Sequence, residues 1–173
     1  MTAQARKILI LGGSGSGKSY LAEKLGSALN IPVNHLDVLY WKPNWTKPKG
    51  EDWQKIMDDL CREESGIIDG YYESTFLQRL TWCDMVIYLD FPTSVLLWNI
   101  VKRYVRVLLG FEKRHTIAPG CNEKLDWNFI RWVATFNRKN RSVIYTYLEE
   151  CHKNIVILRS RKEVNSFLES FDK

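Results

Sequence analysis

Short apolar runs alternate with amphipathic stretches along the whole chain. Lys7–Leu11, Val33–Leu36, Gly66–Asp69, Met85–Asp90 and Asn154–Leu158 are four to six residues long and read as buried strands. Between them the apolar positions recur at helical spacing. The predicted helices are Lys18–Leu29, Glu51–Glu63, Ser74–Leu80, Thr93–Leu109, Asp126–Glu150 and Arg161–Phe171. In the second, Trp53, Ile56, Met57 and Leu60 form an i, i+3, i+4, i+7 stripe. Strand–helix alternation predicts an α/β domain whose parallel sheet carries helices on both faces, with ligands beyond the carboxyl ends of the strands. Two stretches break the pattern. Asp37–Gly50 is rich in Trp, Pro and Lys, and Gly110–Lys124 holds charges, Pro119 and Gly120. Both are long enough for functional loops and are flanked by core elements, so neither is a linker.

The apolar stretch Met85–Val101 is interrupted by Asp90, Pro92 and Asn99, so it reads as strand–turn–helix and not as a membrane span. The first apolar run is short and leads straight into a glycine loop, unlike a secretory signal. Four widely spaced cysteines without a C-x-x-C pair suit reduced thiols in a cytoplasmic protein. The 173 residues, 45% apolar, suffice for one domain with a substantial core. A net charge of +5 and a pI near 9.0 suit a phosphate-rich ligand and are compatible with nucleic acid; charge alone does not choose.

The glycine loop chooses. Gly12-Gly13-Ser14-Gly15-Ser16-Gly17-Lys18-Ser19 follows a predicted strand and opens a predicted helix, and it fits G-x-x-x-x-G-K-[ST]. Its glycines let successive backbone N–H groups turn toward an anion, and the following helix adds its positive end. Lys18 would reach the β- and γ-phosphates of ATP, and the Ser19 hydroxyl would ligate Mg²⁺.

Phosphoryl transfer also needs a carboxylate near the metal, an oriented acceptor and cations around the transferring group. Asp69 and Asp90 each end a predicted strand; either could support the metal or serve as a cap or turn former, and Asp69 is preferred for the metal. Asp37, read at the end of the second strand, would orient or deprotonate an acceptor hydroxyl, or cap the Trp-rich loop. His35 reads as a packed strand residue. Arg103 and Arg106 lie late in one predicted helix, Arg114 in the loop after it, and Arg131, Arg138 and Arg141 on the next helix. Guanidinium forks there would neutralise developing charge, or form a solvated basic face. Trp41 and Trp45 would stack on an acceptor or shape the loop, whereas Trp53 belongs to the helical core stripe.

With these residues in view, the chain resembles the small P-loop nucleoside and nucleotide kinases, the group that includes adenylate, shikimate and gluconate kinases. The glycine loop, Asp37, Asp69-Gly70, Asp90-Phe91-Pro92 and Arg103 stand in that family's order. Asp37 with Trp41 and Trp45, Ile68-Asp69-Gly70-Tyr71, Arg79, and Gly120-Cys121 leading to Asp126-Trp127 resemble more closely the DNA-topology-modulation (FlaR-related) proteins. The resemblance implies a three-layer α/β/α P-loop fold with a five-stranded parallel sheet, one domain over residues 1–173. It implies an acceptor region near Asp37–Glu64 and a short lid near Gly110–Lys124, with Arg103 near the adenine or the phosphates. It also implies an ATP-dependent, Mg²⁺-using kinase of a small acceptor. Where adenylate kinases carry Phe-Pro-Arg after Asp-Gly, this chain has Tyr71-Tyr72, which speaks against an ordinary nucleoside monophosphate. The rival readings are an NTPase working with a macromolecule and a nucleic-acid-associated protein on the same fold.

Overall fold

The computed structural model describes residues 5–111, 116–121 and 125–171. Arg114, His115 and Lys124, part of the expected lid, lie outside the described residues.

Five strands form the sheet: β1 (Lys7–Gly12), β2 (Val33–His35), β3 (Gly66–Asp69), β4 (Met85–Leu89) and β5 (Asn154–Leu158). All pairings are parallel, in the order β2-β3-β1-β4-β5. A parallel sheet must be covered on both faces, and the strand sequences show it: β1, β3 and β4 are apolar at nearly every position. Ile8, Ile10, Ile67, Ile87 and Leu89 point to one face. There they meet Leu21, Ala22 and Leu25 of α1 (Lys18–Leu29), Leu96 and Ile100 of α5 (Thr93–Leu108), and Val164 of α7 (Arg161–Glu169). Leu9, Leu11, Ile68, Val86 and Tyr88 point to the other face. They meet Trp53 and Met57 of α3 (Gly50–Leu60), Phe76 and Leu80 of α4 (Phe76–Trp82), and Phe136, Ile144 and Leu148 of α6 (Trp127–Glu150). The three-layer α/β/α architecture expected from the alternation is the one observed. No helix among the described residues is long and apolar enough to cross a membrane.

Two local expectations are corrected. Leu36 does not extend β2. It opens a short helix, α2 (Leu36–Tyr40), and its buried side chain packs where a Cβ on Gly70 would stand, 3.0 Å away. Asp37 therefore sits in the first turn of α2 and not at a strand end. The helix after β3 begins at Phe76, later than Ser74, behind a 3-10 turn at Glu73–Thr75.

Strand register aligns the carboxyl ends. Ile10 pairs with Asp69, His35 with Asp69, and Gly12 with Leu89, so the glycine loop, Asp37, Asp69 and Asp90 emerge at one end of the sheet.

Candidate active site

The loop leaves β1 at Gly12 and enters α1 at Lys18. Gly15 (φ 84°) and Gly17 (φ 91°) occupy left-handed backbone that side chains rarely adopt. A Cβ at Gly15 would also stand 2.5 Å from the Leu96 carbonyl oxygen. The loop is thus seated on α5, and the Asn99 side-chain amide donates to the Gly15 carbonyl at 2.8 Å. Asn99 registers in the sequence only as a polar break in an apolar helix; this bond is its structural reason. Across the loop, Arg161 at the start of α7 brings a guanidinium nitrogen 2.8 Å from the position a Gly17 Cβ would take. No feature of the sequence singles that arginine out.

The loop's polar groups face inward. Lys18 Nζ donates to the Gly13 carbonyl at 3.0 Å, folded over the cradle that it would share with phosphates. The Ser16 hydroxyl is fully buried and makes no hydrogen bond among the described residues. A buried hydroxyl without a partner, beneath a left-handed glycine loop at a helix N-terminus, fits a bound polyphosphate. The donor set for a metal fits as well. A Ser19 hydroxyl and one buried carboxylate, Asp69, are hard oxygen ligands of the kind Mg²⁺ uses beside waters and phosphates.

Asp69 is 4% exposed and bonded to His35 Nδ1 at 3.0 Å, with Glu23 3.7 Å from Nε2 of the same ring. Burial opposes the charged imidazole, but the Asp69 hydrogen bond and charge outweigh it, aided by Glu23 and Asp37, and raise the His35 pKa. His35 thus supports Asp69 and is more than a packed strand residue.

Asp37 is held from the side. The Tyr72 hydroxyl donates to its Oδ1 at 2.7 Å, and Trp41 is the other side-chain hydrogen-bond partner of that hydroxyl. Burial, then the nearby Asp37 charge, push the Tyr72 phenol far above its ordinary range, so it remains a neutral donor. Around it stand the rings of Tyr40 (centroids 4.6 Å from Tyr72), Trp53 (5.2 Å from Tyr72) and Trp41, which in turn meets Trp45 edge-on at 5.4 Å. Trp53 is core, as the stripe predicts, while Trp41 and Trp45 are half-buried. Trp45 adopts a left-handed backbone (φ 59°) after Asn44 (φ 60°), in a tight turn closed by the Lys42–Thr46 bridge. A tryptophan held there is strained, and the turn is braced from outside: Asn44 N–H donates to the Gly120 carbonyl at 3.1 Å, and Cys121 Sγ to the Lys42 carbonyl. The described end of the expected lid therefore rests on the loop that carries Trp41 and Trp45.

Arg79 is fully buried, and its guanidinium bonds to backbone carbonyls. Nε donates to the Thr75 carbonyl, and its two terminal nitrogens to Gly70 at 2.8 Å and Tyr72 at 2.6 Å. Burial pushes its pKa down to about 10. It braces the turn from which Tyr72 reaches Asp37.

The predicted arginines are not gathered at one point. Arg141 donates to Asp90 Oδ2 at 2.7 Å, alongside the Tyr145 hydroxyl at 2.9 Å, with Arg159 Nε 3.9 Å away. Asp90 is thus engaged by cations and a phenol at the end of β4. Arg138 and Arg131 line an open depression of about 380 Å³ along α6, with Trp132 and Lys139. Arg103 lies on α5, half-buried.

No family model matches the chain, and no curated protein matches it by sequence. Solved structures do match its fold. A shikimate kinase from Acinetobacter baumannii, in complex with shikimate, aligns over 96% of this chain and 90% of its own at TM-score 0.63 and 14% identity. A gluconokinase from Sinorhizobium meliloti 1021 aligns over 96% and 89% at TM-score 0.51 and 15% identity. A deoxyadenosine kinase from M. mycoides aligns over 95% and 97% at TM-score 0.50 and 14% identity. At such identities the likeness is one of fold: this chain has the architecture of the small P-loop kinases.

Proposed function

We propose that this protein is a kinase that transfers the γ-phosphoryl group of ATP to a hydroxyl of a small acceptor. The observation that carries this reading is the carboxylate of Asp37, fixed by Tyr72 within a wall of aromatic rings at the same sheet end as the glycine loop. An ATPase without an acceptor needs the loop but has no use for that wall.

In this scheme the loop amides and Lys18 hold the β- and γ-phosphates, with Lys18 exchanging the Gly13 carbonyl for phosphate oxygen. Ser19 and Asp69 would hold Mg²⁺ or its waters, and the ion would supply charge neutralisation at the phosphates. Asp37, one oxygen occupied by Tyr72, accepts the acceptor's hydroxyl proton on the other. The acceptor oxygen then bonds to the γ-phosphorus as the bond to the β–γ bridging oxygen breaks and ADP leaves. Arg103 and one of the α6 arginines, Arg138 or Arg141, neutralise the developing charge, and closure of the lid excludes competing water.

The test is a screen of nucleosides, nucleotides and sugar-like alcohols for acceptor-dependent ADP release above the hydrolysis background, beside calorimetric titration with Mg·ATP. Mg·ATP binding that survives Lys18→Ala unchanged would sink the donor site. Steady hydrolysis stimulated by no small acceptor would replace the kinase with an NTPase.

A further inference from the structure

The glycine loop carries a cation at each end. Lys18 Nζ is turned back to the Gly13 carbonyl at 3.0 Å. At the other end Arg161, from the first turn of α7, lays its guanidinium against Gly17. One terminal nitrogen stands 2.8 Å and the other 3.6 Å from the place a Gly17 Cβ would take. The same guanidinium lies 5.9 Å from the centre of the Tyr20 ring. One cationic group therefore covers both the end of the loop and the first turn of α1. Its place is set by packing: Val164, three residues on, is buried in the cluster that holds Leu21 and Leu25 of α1.

No acid neutralises this arginine. Among the described residues Arg161 makes no hydrogen bond and no ion pair, only the contact with Tyr20. The first turn of α1 has no Asp or Glu. Glu163, two residues from Arg161, is spent on the Arg159 N–H and the Ser160 hydroxyl, each at 2.9 Å. Arg159 itself is turned the other way, toward Tyr145 and Asp90. Between Gly13 and Gly17 in the loop, the fully buried Ser16 hydroxyl also has no hydrogen-bond partner among the described residues. An unspent guanidinium and an unspent buried hydroxyl thus belong to one short loop, and an anion answers both.

From these contacts we infer that Arg161 binds the α-phosphate of the donor nucleotide, the phosphate that does not react. This role rests on the kinase reading of the loop. The amides of such a loop cradle the α- and β-phosphates, and its lysine serves the β- and γ-phosphates. Lys18 covers the reacting end of the chain of phosphates. The turn from Gly17 to Tyr20 takes the other end, and Arg161 is the cation standing there. A guanidinium presents parallel N–H donors that match two phosphate oxygens. Arg161 gives up only a ring contact to do so. The α-phosphate gains no charge during transfer, so the arginine contributes to nucleotide binding and leaves the chemical step alone.

The experiment is calorimetric titration of the full chain with Mg·ATP and with Mg·tripolyphosphate. Arg161→Ala should weaken both about tenfold, and Arg161→Lys should regain part of the loss as a single point charge. The side chain is exposed, so both variants should keep the wild-type thermal midpoint. With an acceptor from the screen, KM for ATP should rise about tenfold in Arg161→Ala while kcat stays level. Unchanged affinity in Arg161→Ala overturns the inference; if Lys18→Ala still loses Mg·ATP, the kinase reading survives that result. Weakened ATP with unweakened tripolyphosphate also overturns it, by placing the guanidinium on the nucleoside. A fall in kcat at constant KM overturns it by placing the guanidinium on the reacting phosphate. A wild type that binds no Mg·ATP removes this role and the kinase reading together.

Discussion

The Asp90 carboxylate receives the Arg141 guanidinium at 2.7 Å, and it does so from a nearly closed position: the Asp90 side chain is 2% exposed while that of Arg141 is 53% exposed. One end of the pair is anchored at the end of β4 and the other faces water. Asp90 shares its oxygen with Tyr145 and lies near Arg159, which joins β4, α6 and the turn after β5 at a single atom. A carboxylate so engaged is a structural anchor for α6.

Asp90→Ala should accordingly cost about 2 kcal/mol, discounted for the solvent around Arg141, and lower the thermal midpoint by roughly 4–8 °C. Calorimetric melting checks this. An unchanged midpoint would mean that the pair contributes nothing to holding α6.

Arg79 offers a sharper stability test, because its nitrogens serve three carbonyls in a closed site. Arg79→Leu leaves those carbonyls without donors and should cost about 3 kcal/mol. Arg79→Lys should recover little of it, since one ammonium does not reproduce a planar fork. Urea unfolding of both variants is the measurement, and full recovery by lysine would contradict the bonding described.

The His35–Asp69 contact sets a pH dependence. A raised His35 pKa means that the folded state holds the proton more tightly than the unfolded chain, whose ordinary value is 6.5. The stabilisation is therefore complete below pH 6.5 and is lost as pH rises through the higher folded-state value. Compared without nucleotide or Mg²⁺, wild type should exceed His35→Gln by about 1 kcal/mol at the acidic end, the gap closing as the pH rises. A gap that widens with pH would reverse the sign of the argument.

Tyr72→Phe removes one hydrogen bond to Asp37 and little volume. With an acceptor found by the screen, kcat should fall about tenfold, the equivalent of ~1.4 kcal/mol, while Mg·ATP affinity is unchanged. Equal loss in ATP affinity would mean that the tyrosine supports the fold more than the carboxylate.

The glycine-loop half of the candidate site was legible because its geometry is local. Gly12–Ser19 is a contiguous run whose geometry follows from glycine placement, and the strands and helices around it follow from period-3.6 and apolar runs. The sheet's five strands were legible for the same reason. The surroundings of Asp37 were not, because they are assembled by tertiary contacts. Tyr72 lies 35 positions from the Asp37 that it orients, and Arg161 reaches Gly17 from the far end of the chain. Leu36 read as strand from its neighbours, and it joined a helix because a buried place beside Gly70 was open to it. The bond from Asn99 to the loop shows the same limit from the other side: its residue type stood out, its partner did not.

The order β2-β3-β1-β4-β5 puts β2, three residues long, at the sheet's margin, with the tryptophan-bearing loop hung directly from it. The glycine loop, by contrast, hangs from the middle strand. A change of sequence in the tryptophan-bearing loop therefore enters the sheet at its edge, whereas one in the glycine loop enters it at the centre.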